Sequence, residues 1–572
     1  MRITTICILL ALLATSFDVS AQRRKKKAAP KKRTTTSRNR GKTTLQRGSS
    51  KDAVLKGATI EIIQSYKPEV INTPKPEFTT SLPPADTTTP TLYYDVPQQS
   101  LSYTYSSFPL RPLALGTDSM EFPYRNYVKV GGGNLSTLLL DAGIASLSGL
   151  TYETNIHLRH LSQSGNIEHQ QTAMTNLEAN GTIRREGHVA HGVVEGLRNQ
   201  VNHYGYNHSL ITYDKSVVRK TYYGLHAGAD IKNEEQLFEG LDYHPSLWVS
   251  LYGTQATPTF GAFERTIKLN VPVSYEMDTS LSLLFGVNIA LTGFNDAMTK
   301  QSNNILQFTP GVKFNTRGFK GHAGLYPTIG KNGNTHLLPD IEAAFSIPNT
   351  QFSFNVGWKG LLHQNTFEEL STRNPFMWDS YTVKQMRSNE VFGAVQSNLG
   401  NHISFGGRFS WWQYNNMPLF INDTVADDKR FLVVYDDKVN AISMQASIRY
   451  QIANTFALGF SGTWFNYYIS TFEKVWHEPA VQFRGDLLVK PLPKLTVTAY
   501  LSAMDELYAI ERGNKVRKLN TNLDLGTGAE YLIIPRLTAF LNANNILNNR
   551  YERWNNYQAY GFNIFGGARL KF

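Results

Sequence analysis

The chain has 572 residues and a formal net charge of +12; 12% of its residues are aromatic and only 18% are charged. Its one cysteine, Cys7, lies near the start, which excludes disulfides, thiolate nucleophiles and cysteine metal sites from the rest of the chain. No stretch reaches 18 uninterrupted apolar residues, which excludes a bundle of membrane-spanning helices but not a membrane β-barrel.

Residues 1–21 have the layout of a secretory signal peptide. Arg2 precedes an apolar run at 6–14, and small residues follow at 19–21. The run is about half of the ~20 residues that a helix needs to cross a bilayer, so the pattern indicates a cleaved signal and not an anchor. The sequence therefore predicts export, with cleavage after Ala21.

Residues 22–123 are basic and rich in proline and threonine. The segment 22–51 carries 13 lysines and arginines and no acidic residue, so it accounts for the net positive charge of the chain. The apolar content is too low to offset the entropy lost on ordering, which predicts a mostly disordered periplasmic arm. The basic run is either a solvated spacer or a contact for anionic lipid or the acidic cell-wall polymer. Nucleic acid is not an expected partner, because no aromatic side chains interleave the lysines for stacking.

One apolar island interrupts this arm, formed by Ile60, Ile62, Ile63 and Tyr66. Such a run can add as a strand to the sheet edge of a periplasmic partner. It can equally be a sticky piece of linker or a strand held against its own barrel, and both alternatives stay open.

Residues 124–572 fall into segments of roughly ten residues in which apolar and polar residues alternate. That length and period are typical of strands that cross a membrane, apolar toward lipid and polar toward the lumen. A secreted sandwich or propeller is the alternative, but its strands average about five or six residues. The clearest segments are 267–275, 281–292, 456–464, 495–502 and 562–572. We therefore predict an all-β fold, a transmembrane antiparallel β-barrel of about 22 strands within a range of 18–22.

The connections alternate between short turns and long polar loops, as barrels with short periplasmic turns and long outer loops require. Tight turns are expected near 148–149, 185–187, 277–278, 316–318, 348–349, 400–401, 453–454, 491–493 and 535–536. Long loops are expected at 163–175, 204–217, 294–303, 363–387, 415–429, 465–478, 504–519 and 546–560. The first hairpin is expected to turn at 131–134, the Gly-Gly-Gly-Asn run.

The C-terminal segment 540–572 carries the motif N-x-N-N-I-L-N at 542–548, then Tyr551, and ends in Phe572. This resembles the last hairpin of the TonB-dependent receptor family of outer-membrane barrels. The resemblance implies that Phe572 is the membrane-insertion signal read by the barrel assembly machinery, and that the chain lies in the outer membrane of a Gram-negative bacterium with its arm in the periplasm. The segments 60–70, 122–134 and 156–165 are similar to a branch of barrels common in Bacteroidota that lack a plug.

Receptors of this family place a globular plug between the signal peptide and the barrel. Here the interval 22–124 contains 11 of the 24 prolines and no strand-turn-helix pattern. The resemblance therefore implies a transport or pore component without a plug, for a solute that the sequence does not identify. A structural or assembly barrel, tethered by its arm to peptidoglycan or to a periplasmic or lipoprotein partner, is the alternative function.

Patterns for catalysis were sought and none was found. His157 and His160 are three residues apart on a strand and face opposite ways, as do His188 and His191, so neither pair shares a metal. Neither a phosphate-binding glycine loop nor a G-x-S-x-G elbow occurs, and the adjacent carboxylates at 368–369 and 427–428 are interpreted as solvated loop charge. We expect no enzyme activity, no metal and no cofactor.

The loop 363–387 is the strongest candidate for contact with another molecule. It carries Phe367, Phe376, Trp378 and Tyr381. These rings are expected to contact a ligand, to fold inward as a constriction or to pack against a partner. The alternative is an aromatic belt at the membrane interface, which barrels of this kind need in any case.

Overall fold

The computed structural model describes residues 126–148, 151–234, 240–256, 261–347 and 350–572. The predicted signal peptide, the basic arm and the predicted partner strand at Ile60, Ile62, Ile63 and Tyr66 lie outside these residues.

One antiparallel sheet closes on itself to form the barrel, because the first strand pairs both with the second strand and with the last. The strands of this sheet are β1 Tyr127–Gly133, β2 Leu138–Ser148, β3 Tyr152–Ser164, β4 Gln171–Arg185, β5 His188–Asn202, β6 Arg219–Asn233, β7 Leu241–Tyr243, β8 Ser246–Ala256, β9 Phe263–Asp278, β10 Leu281–Asn295, β11 Lys300–Ser302, β12 Ile305–Phe308, β13 Gly311–Thr316, β14 Phe319–Ile329, β15 Thr335–Ser346, β16 Phe352–His363, β17 Met386–Leu399, β18 Ile403–Asn415, β21 Val439–Ile452, β22 Phe456–Ile469, β23 Val481–Leu492, β24 Leu495–Asp505, β27 Asn522–Ile534, β28 Leu537–Asn544 and β31 Asn563–Lys571.

These segments form 22 wall strands, which confirms the predicted fold class and count. Two wall strands are interrupted. β7 and β8 are pieces of one strand, because both pair with β9. β11, β12 and β13 are pieces of another, because all three pair with β10. Three further hairpins lie in the loops: β19 Met417–Asn422 with β20 Phe431–Asp436, β25 Tyr508–Glu511 with β26 Lys515–Lys518, and β29 Glu552–Trp554 with β30 Tyr557–Gln558.

The wall alternates between an outer apolar face and an inner polar face. On β31, Ile564, Leu570 and the following Phe572 are exposed on the outside, whereas Asn563 is buried toward the lumen. Many wall strands have 11 to 16 residues, more than the roughly 9–11 needed to cross a bilayer, so the barrel extends beyond the membrane. The outer face repeats this exposure around the barrel, for example at Leu283, Phe285, Val356, Trp358, Phe409, Trp411, Met444 and Ile448.

Short turns and long loops lie at opposite ends of the barrel. The turns at 186–187, 279–280, 317–318, 400–402, 453–455 and 535–536 and the ends of the sheet, Asn126 and Phe572, lie at one end, here called the turn end. The connections 165–170, 203–218, 364–385, 416–438, 470–480, 506–521 and 545–562 lie at the other, the loop end. In outer-membrane barrels the short turns face the periplasm and the long loops face outward.

The predicted turn of the first hairpin is wrong by a few residues. Gly131, Gly132 and Gly133 belong to β1, and the chain turns afterwards, with Leu135 and Ser136 at positive φ. Two of these glycines are required by packing: a Cβ on Gly133 would lie 2.2 Å from the carbonyl oxygen of Ile564, and a Cβ on Gly131 would lie 2.6 Å from the ring of Phe540. Gly131 and Gly133 therefore mark close contact between neighbouring strands and not a bend.

Helices are few and short in the described residues: Lys215–Val218, Phe367–Arg373 and the 3₁₀ turn Lys331–Gly333. None of the described helices has the length and apolar character that a membrane crossing requires. The helix Phe367–Arg373 lies in the loop 364–385 and positions the candidate site.

Candidate functional site

The long loops fold together over the mouth of the barrel and share a hydrophobic core, which we call the loop core. Its members come from the rims of several strands and from loops that include 203–218, 364–385, 416–438 and 545–562. The buried residues of the loop core are Val201, Tyr204, Tyr222, Tyr252, Ala262, Phe294, Phe367, Leu370, Phe376, Met377, Tyr381, Val383, Phe420, Phe431, Trp554 and Tyr557.

The loop 364–385 begins this closure with its short helix. Thr366 is the N-cap, and its hydroxyl accepts a hydrogen bond from the Glu369 N–H at 3.2 Å. Phe367 and Leu370 lie one turn apart and both enter the loop core. The helix thus presents one apolar edge inward and keeps its acidic first turn available for polar contacts.

Glu264, the second residue of β9, completes the start of this helix from the barrel wall. Its carboxylate is buried and accepts hydrogen bonds from the backbone N–H groups of Phe367 at 2.6 Å and Glu368 at 3.2 Å. Those N–H groups have no partner within the helix, and a negative charge there is also favoured by the helix dipole. A single wall carboxylate therefore fixes the position of the helix.

The side chain of Glu368 ties the same helix to two further strands. One carboxylate oxygen accepts from the Ser250 hydroxyl of β8 at 2.7 Å, and the other lies 2.8 Å from His226 Nε2 of β6. His226 Nδ1 lies 3.2 Å from the carboxylate of Glu195 on β5. Three neighbouring wall strands thus contribute polar groups at the same height in the lumen.

A buried ion pair holds the second half of the loop. Lys220 of β6 lies 2.5 Å from Asp379 and donates to the carbonyl oxygen of Met377 at 2.6 Å. The Thr254 hydroxyl of β8 donates to Asp379 at 2.8 Å, and the Tyr222 hydroxyl donates to the carbonyl of Pro375 at 2.7 Å. The loop is therefore bound to the inner wall at both of its halves.

Other loops pack on the free side of this loop. Phe431 of β20 forms a short parallel bridge with it: the Trp378 N–H donates to the Phe431 carbonyl at 2.7 Å, and the Phe431 N–H donates to the Phe376 carbonyl at 3.1 Å. The ring of Phe376 stacks on Tyr557, with centroids 3.7 Å apart. Backbone and ring contacts together join the loops 364–385, 416–438 and 545–562.

A buried histidine connects a fourth loop. His477 Nδ1 donates to the Phe420 carbonyl at 2.9 Å, and Nε2 accepts from the Asn555 N–H at 3.2 Å. This pattern uses both nitrogens of the neutral ring. Burial, together with the nearby charges of Arg553 and Arg373, lowers the pKa of His477 to about 3. The imidazole is therefore a neutral structural link at ordinary pH.

The wall of the lumen is polar and charged between the loop core and the turn end. Glu530 pairs with Lys129 at 3.1 Å and with Arg569 at 2.9 Å. Across the barrel, Glu390 pairs with Arg408 at 2.6 Å. Near the turn end, a cavity of about 480 Å³ is lined by Ser353, Gln396, Ser404, Ser447, Arg449, Ser461 and Asp486, among others. The inner wall thus suits water or a polar solute below the closed mouth.

Three of the four predicted contact rings are buried. Phe367, Phe376 and Tyr381 belong to the loop core, whereas Trp378 is half-buried and lines a cavity. They therefore form no belt at the membrane interface, and their contact role remains a prediction. Phe572 is 53% exposed and exchanges backbone hydrogen bonds with Asn126, and its role in insertion also remains a prediction.

The adjacent carboxylates that were interpreted as solvated loop charge are in fact engaged in contacts. Glu368 binds the wall as described above, Asp427 pairs with Lys429, and Asp428 lies 3.0 Å from Arg512. Only Glu369 lacks such an ion pair among the described residues. The sequence shows pairs of like charge but not the contacts that folding gives them: Lys429 is two residues from Asp427, whereas Arg512 comes from a distant loop.

The sequence patterns did not identify the wall residues that hold the loop 364–385. Lys220, His226 and Glu264 are single polar residues at lumen-facing positions of ordinary strands. The alternation identifies their face, but their partners are more than 100 residues away, and no local pattern reports such a pairing. No group of three potential metal ligands converges within the described part of the chain.

Comparison with known proteins places the fold. No profile of a known protein family matches the chain, and no curated protein matches it. Among solved structures, the FrpB iron transporter from Neisseria meningitidis is similar with a TM-score of 0.63 at 10% identity, over 78% of this chain and 81% of that one. The siderophore receptor PirA from Acinetobacter baumannii is similar with a TM-score of 0.61 at 8% identity, over 78% and 80%. The ferripyoverdine receptor of the Pseudomonas aeruginosa outer membrane is similar with a TM-score of 0.59 at 12% identity, over 78% and 72%.

At these identities the likeness concerns the fold. It confirms the fold: residues 126–572 form a 22-stranded barrel like those of the TonB-dependent receptors that the C-terminal motif resembles. The similar structures are described as transporters and receptors, which is a property of those proteins.

Proposed function

We propose that this barrel is a transport component of the outer membrane, a passage for a polar solute whose outer mouth is closed by its own loops. One observation carries the proposal: the loop 364–385 is bound to the inner wall through Glu264, Glu368 and the Lys220–Asp379 pair, above a polar lumen. Detachment of this loop from the wall exposes charged groups that suit a hydrated solute.

The proposal includes the absence of a plug. In a plug-containing receptor a separate domain blocks the lumen, whereas here the loop core supplies a barrier within the barrel itself. The composition of residues 22–124, with 11 prolines and 13 basic residues in the segment 22–51, supports this assignment.

Single-channel conductance in planar bilayers tests the passage. We expect low conductance for the full chain, and stepwise higher conductance when residues 367–380 are replaced by a short Gly-Ser linker. Leu210→Ser and Val425→Ser are matched controls, because both side chains are highly exposed at the loop end and lie outside the loop core.

Proper folding of each variant is checked by heat-modifiable mobility on a gel, which closed barrels show. A folded linker variant with the same low conductance as the full chain would contradict the passage. If the full chain and the linker variant both conduct at the same high level, the loops do not close the passage.

We also propose that the basic segment 22–51 contacts anionic polymer or lipid within the envelope. Its 13 cations without a single acidic residue support this contact. Deleting 22–51 is expected to release the barrel from isolated cell wall in a salt-dependent co-sedimentation assay. Unchanged co-sedimentation would leave the segment as a solvated spacer.

A further inference from the structure

A second cavity of about 310 Å³ lies at the loop end, where the loops 203–218, 296–299, 364–385 and 416–438 meet. It is separate from the lumen cavity near the turn end, since the two share no lining residue. The residues that matter for its chemistry are His203, Arg219, Lys220, Trp378, Asp379 and Arg430.

Positive charge in this cavity is only partly balanced. The Lys220 ammonium is neutralised by Asp379, and Lys429 by Asp427. The carboxylate of Asp296 accepts from the N–H groups of Met298 and Thr299 in its own turn. Arg219 and Arg430, in contrast, form no ion pair with any carboxylate of the described residues. Two guanidinium groups therefore line the cavity without a partner of opposite charge.

One buried polar group in the cavity wall also lacks a partner. His203 is 8% exposed, and its Nε2 atom has no hydrogen-bond partner in the described structure. Burial and the charges of Lys220, Arg430 and Lys429 hold the pKa of His203 well below its usual value. A buried polar atom without a partner costs free energy, and a bound molecule that hydrogen-bonds to it removes this cost.

Much of the remaining wall is apolar. The ring of Trp378 is half-buried and lies 5.8 Å from the Arg430 guanidinium, and the buried Met377 adjoins it. Arginine beside an aromatic ring is a frequent arrangement for holding a planar molecule that bears a negative charge.

We propose that this cavity binds a small organic anion, with its carboxylate between Arg219 and Arg430, a polar atom on His203 Nε2 and its flat apolar part against Trp378. The inference deepens the proposed function, since it names a substrate class for the closed outer mouth. The binding site itself does not depend on whether the solute then passes through the lumen.

Isothermal titration calorimetry on the detergent-solubilised full chain tests this site, with benzoate as the probe and benzamide as its uncharged isostere. We expect saturable binding of benzoate that weakens with salt, and at least tenfold weaker binding of benzamide. Arg430→Gln is expected to weaken benzoate binding about tenfold, the usual effect of losing one charge-assisted hydrogen bond. Arg219→Gln is expected to weaken it less, because Arg219 is more exposed.

Arg550→Gln is the matched control, because Arg550 is an exposed arginine at the same end and does not line the cavity. It removes the same charge and should leave benzoate affinity unchanged. His203→Phe keeps both arginines, so this variant should still prefer benzoate over benzamide at constant fold, which heat-modifiable mobility verifies.

Equal affinity for benzoate and benzamide, or full benzoate affinity in both arginine variants, would overturn the anion site. Absence of benzoate binding to the wild-type chain would overturn it as well. If benzoate binds but no variant conducts, the anion site stands and the passage is rejected. If variants conduct but benzoate does not bind, the passage stands and the anion site is rejected.

Discussion

At the scale of single residues, the closed mouth depends on charges that are buried in pairs. Lys220 and Asp379 come from positions 159 residues apart, and both are almost fully buried. Taking two charges out of water costs several kcal/mol per ion, and close pairing offsets this only while both partners are present. Removing one of them is therefore more damaging than removing both.

We predict that Lys220→Met weakens docking of the loop 364–385 by about 3–5 kcal/mol, because Asp379 remains buried without its cation. Adding Asp379→Leu in the same chain should restore much of the loss. The melting temperature of the solubilised protein and the bilayer conductance measure the effect. Lys300→Met, at an exposed lysine of the same end, is the control. A double variant as unstable as the single one contradicts this account of the pair.

The buried histidine predicts how the loop core responds to acid. The pKa of His477 falls from an ordinary value of 6.5 to about 3 when the loops close, so the opened state binds a proton that the closed state rejects. The stability that His477 contributes is therefore present above pH 6.5 and is lost as the pH falls toward 3, by up to a few kcal/mol. Arg373 and Arg553 face the ring and strengthen the effect.

The contribution of His477 thus lowers the melting temperature of the wild type between pH 7.5 and pH 5. The drop should be smaller in His477→Gln, whose amide can keep one donor and one acceptor but does not titrate. Part of the drop should remain, since the pKa of the buried His203 is also lowered. His402→Gln, at an exposed turn, should behave as the wild type; identical pH profiles for all three proteins would refute the assignment.

At the scale of elements, tyrosine rings lie across glycines of the neighbouring strand and hold the wall strands in register. Tyr127 covers Gly143 from β1 to β2, and Tyr500 covers Gly526 from β24 to β27. A Cβ on Gly526 would lie 2.3 Å from the ring of Tyr500. The ring fills the space that the missing side chain leaves, so each glycine is fixed by packing and not by a turn.

Gly526→Ala is therefore expected to destabilise the barrel by about 1–3 kcal/mol, because the tyrosine ring must move from a well-packed position. Gly459→Ala is the matched control, since nothing lies within 4 Å of a Cβ at that position. It should be neutral or slightly stabilising, as it restricts the unfolded chain. Urea unfolding in lipid vesicles measures both, and equal midpoints would contradict the ring-over-glycine packing.

At the scale of the whole molecule, the barrel is closed by the pairing of β1 with β31. Asn126 and Phe572 exchange two backbone hydrogen bonds. Pairs in an antiparallel ladder alternate, so the next pair, Tyr127 and Lys571, lies directly opposed without backbone hydrogen bonds between its two residues. Cα atoms in such a pair lie about 4.5 Å apart, a distance that a disulfide can span.

The double variant Tyr127→Cys and Lys571→Cys is predicted to cross-link under oxidation and to run as a circular chain on a denaturing gel. The result is easy to interpret because the only other cysteine, Cys7, lies in the predicted signal peptide. The control pairs Tyr127→Cys with Leu570→Cys, since adjacent residues of a strand point to opposite faces. Cross-linking of the control pair alone would show a register shifted by one residue.

Much of the wall was predictable from sequence because its signals are local. Alternation in 281–292 or 562–572 reports which face meets lipid, and loop lengths report which end faces outward. The glycines of β1 misled the prediction because a turn and a close strand contact both favour glycine. The adjacent carboxylates also misled the prediction. Arg512, the partner of Asp428, is distant in sequence, and Lys429 pairs with Asp427 only once the loop has folded.

The sequence by itself determined the fold class of this protein, a barrel of about 22 strands with a loop end rich in aromatic residues. These follow from patterns with a period of two residues or from the composition of one segment. Only the tertiary structure decided that the rings of Phe367, Phe376 and Tyr381 face each other and not lipid, and that Lys220, His226 and Glu264 hold the loop. Contacts between residues a hundred or more positions apart depend on how the closed wall brings the loops together, and no local pattern encodes that geometry.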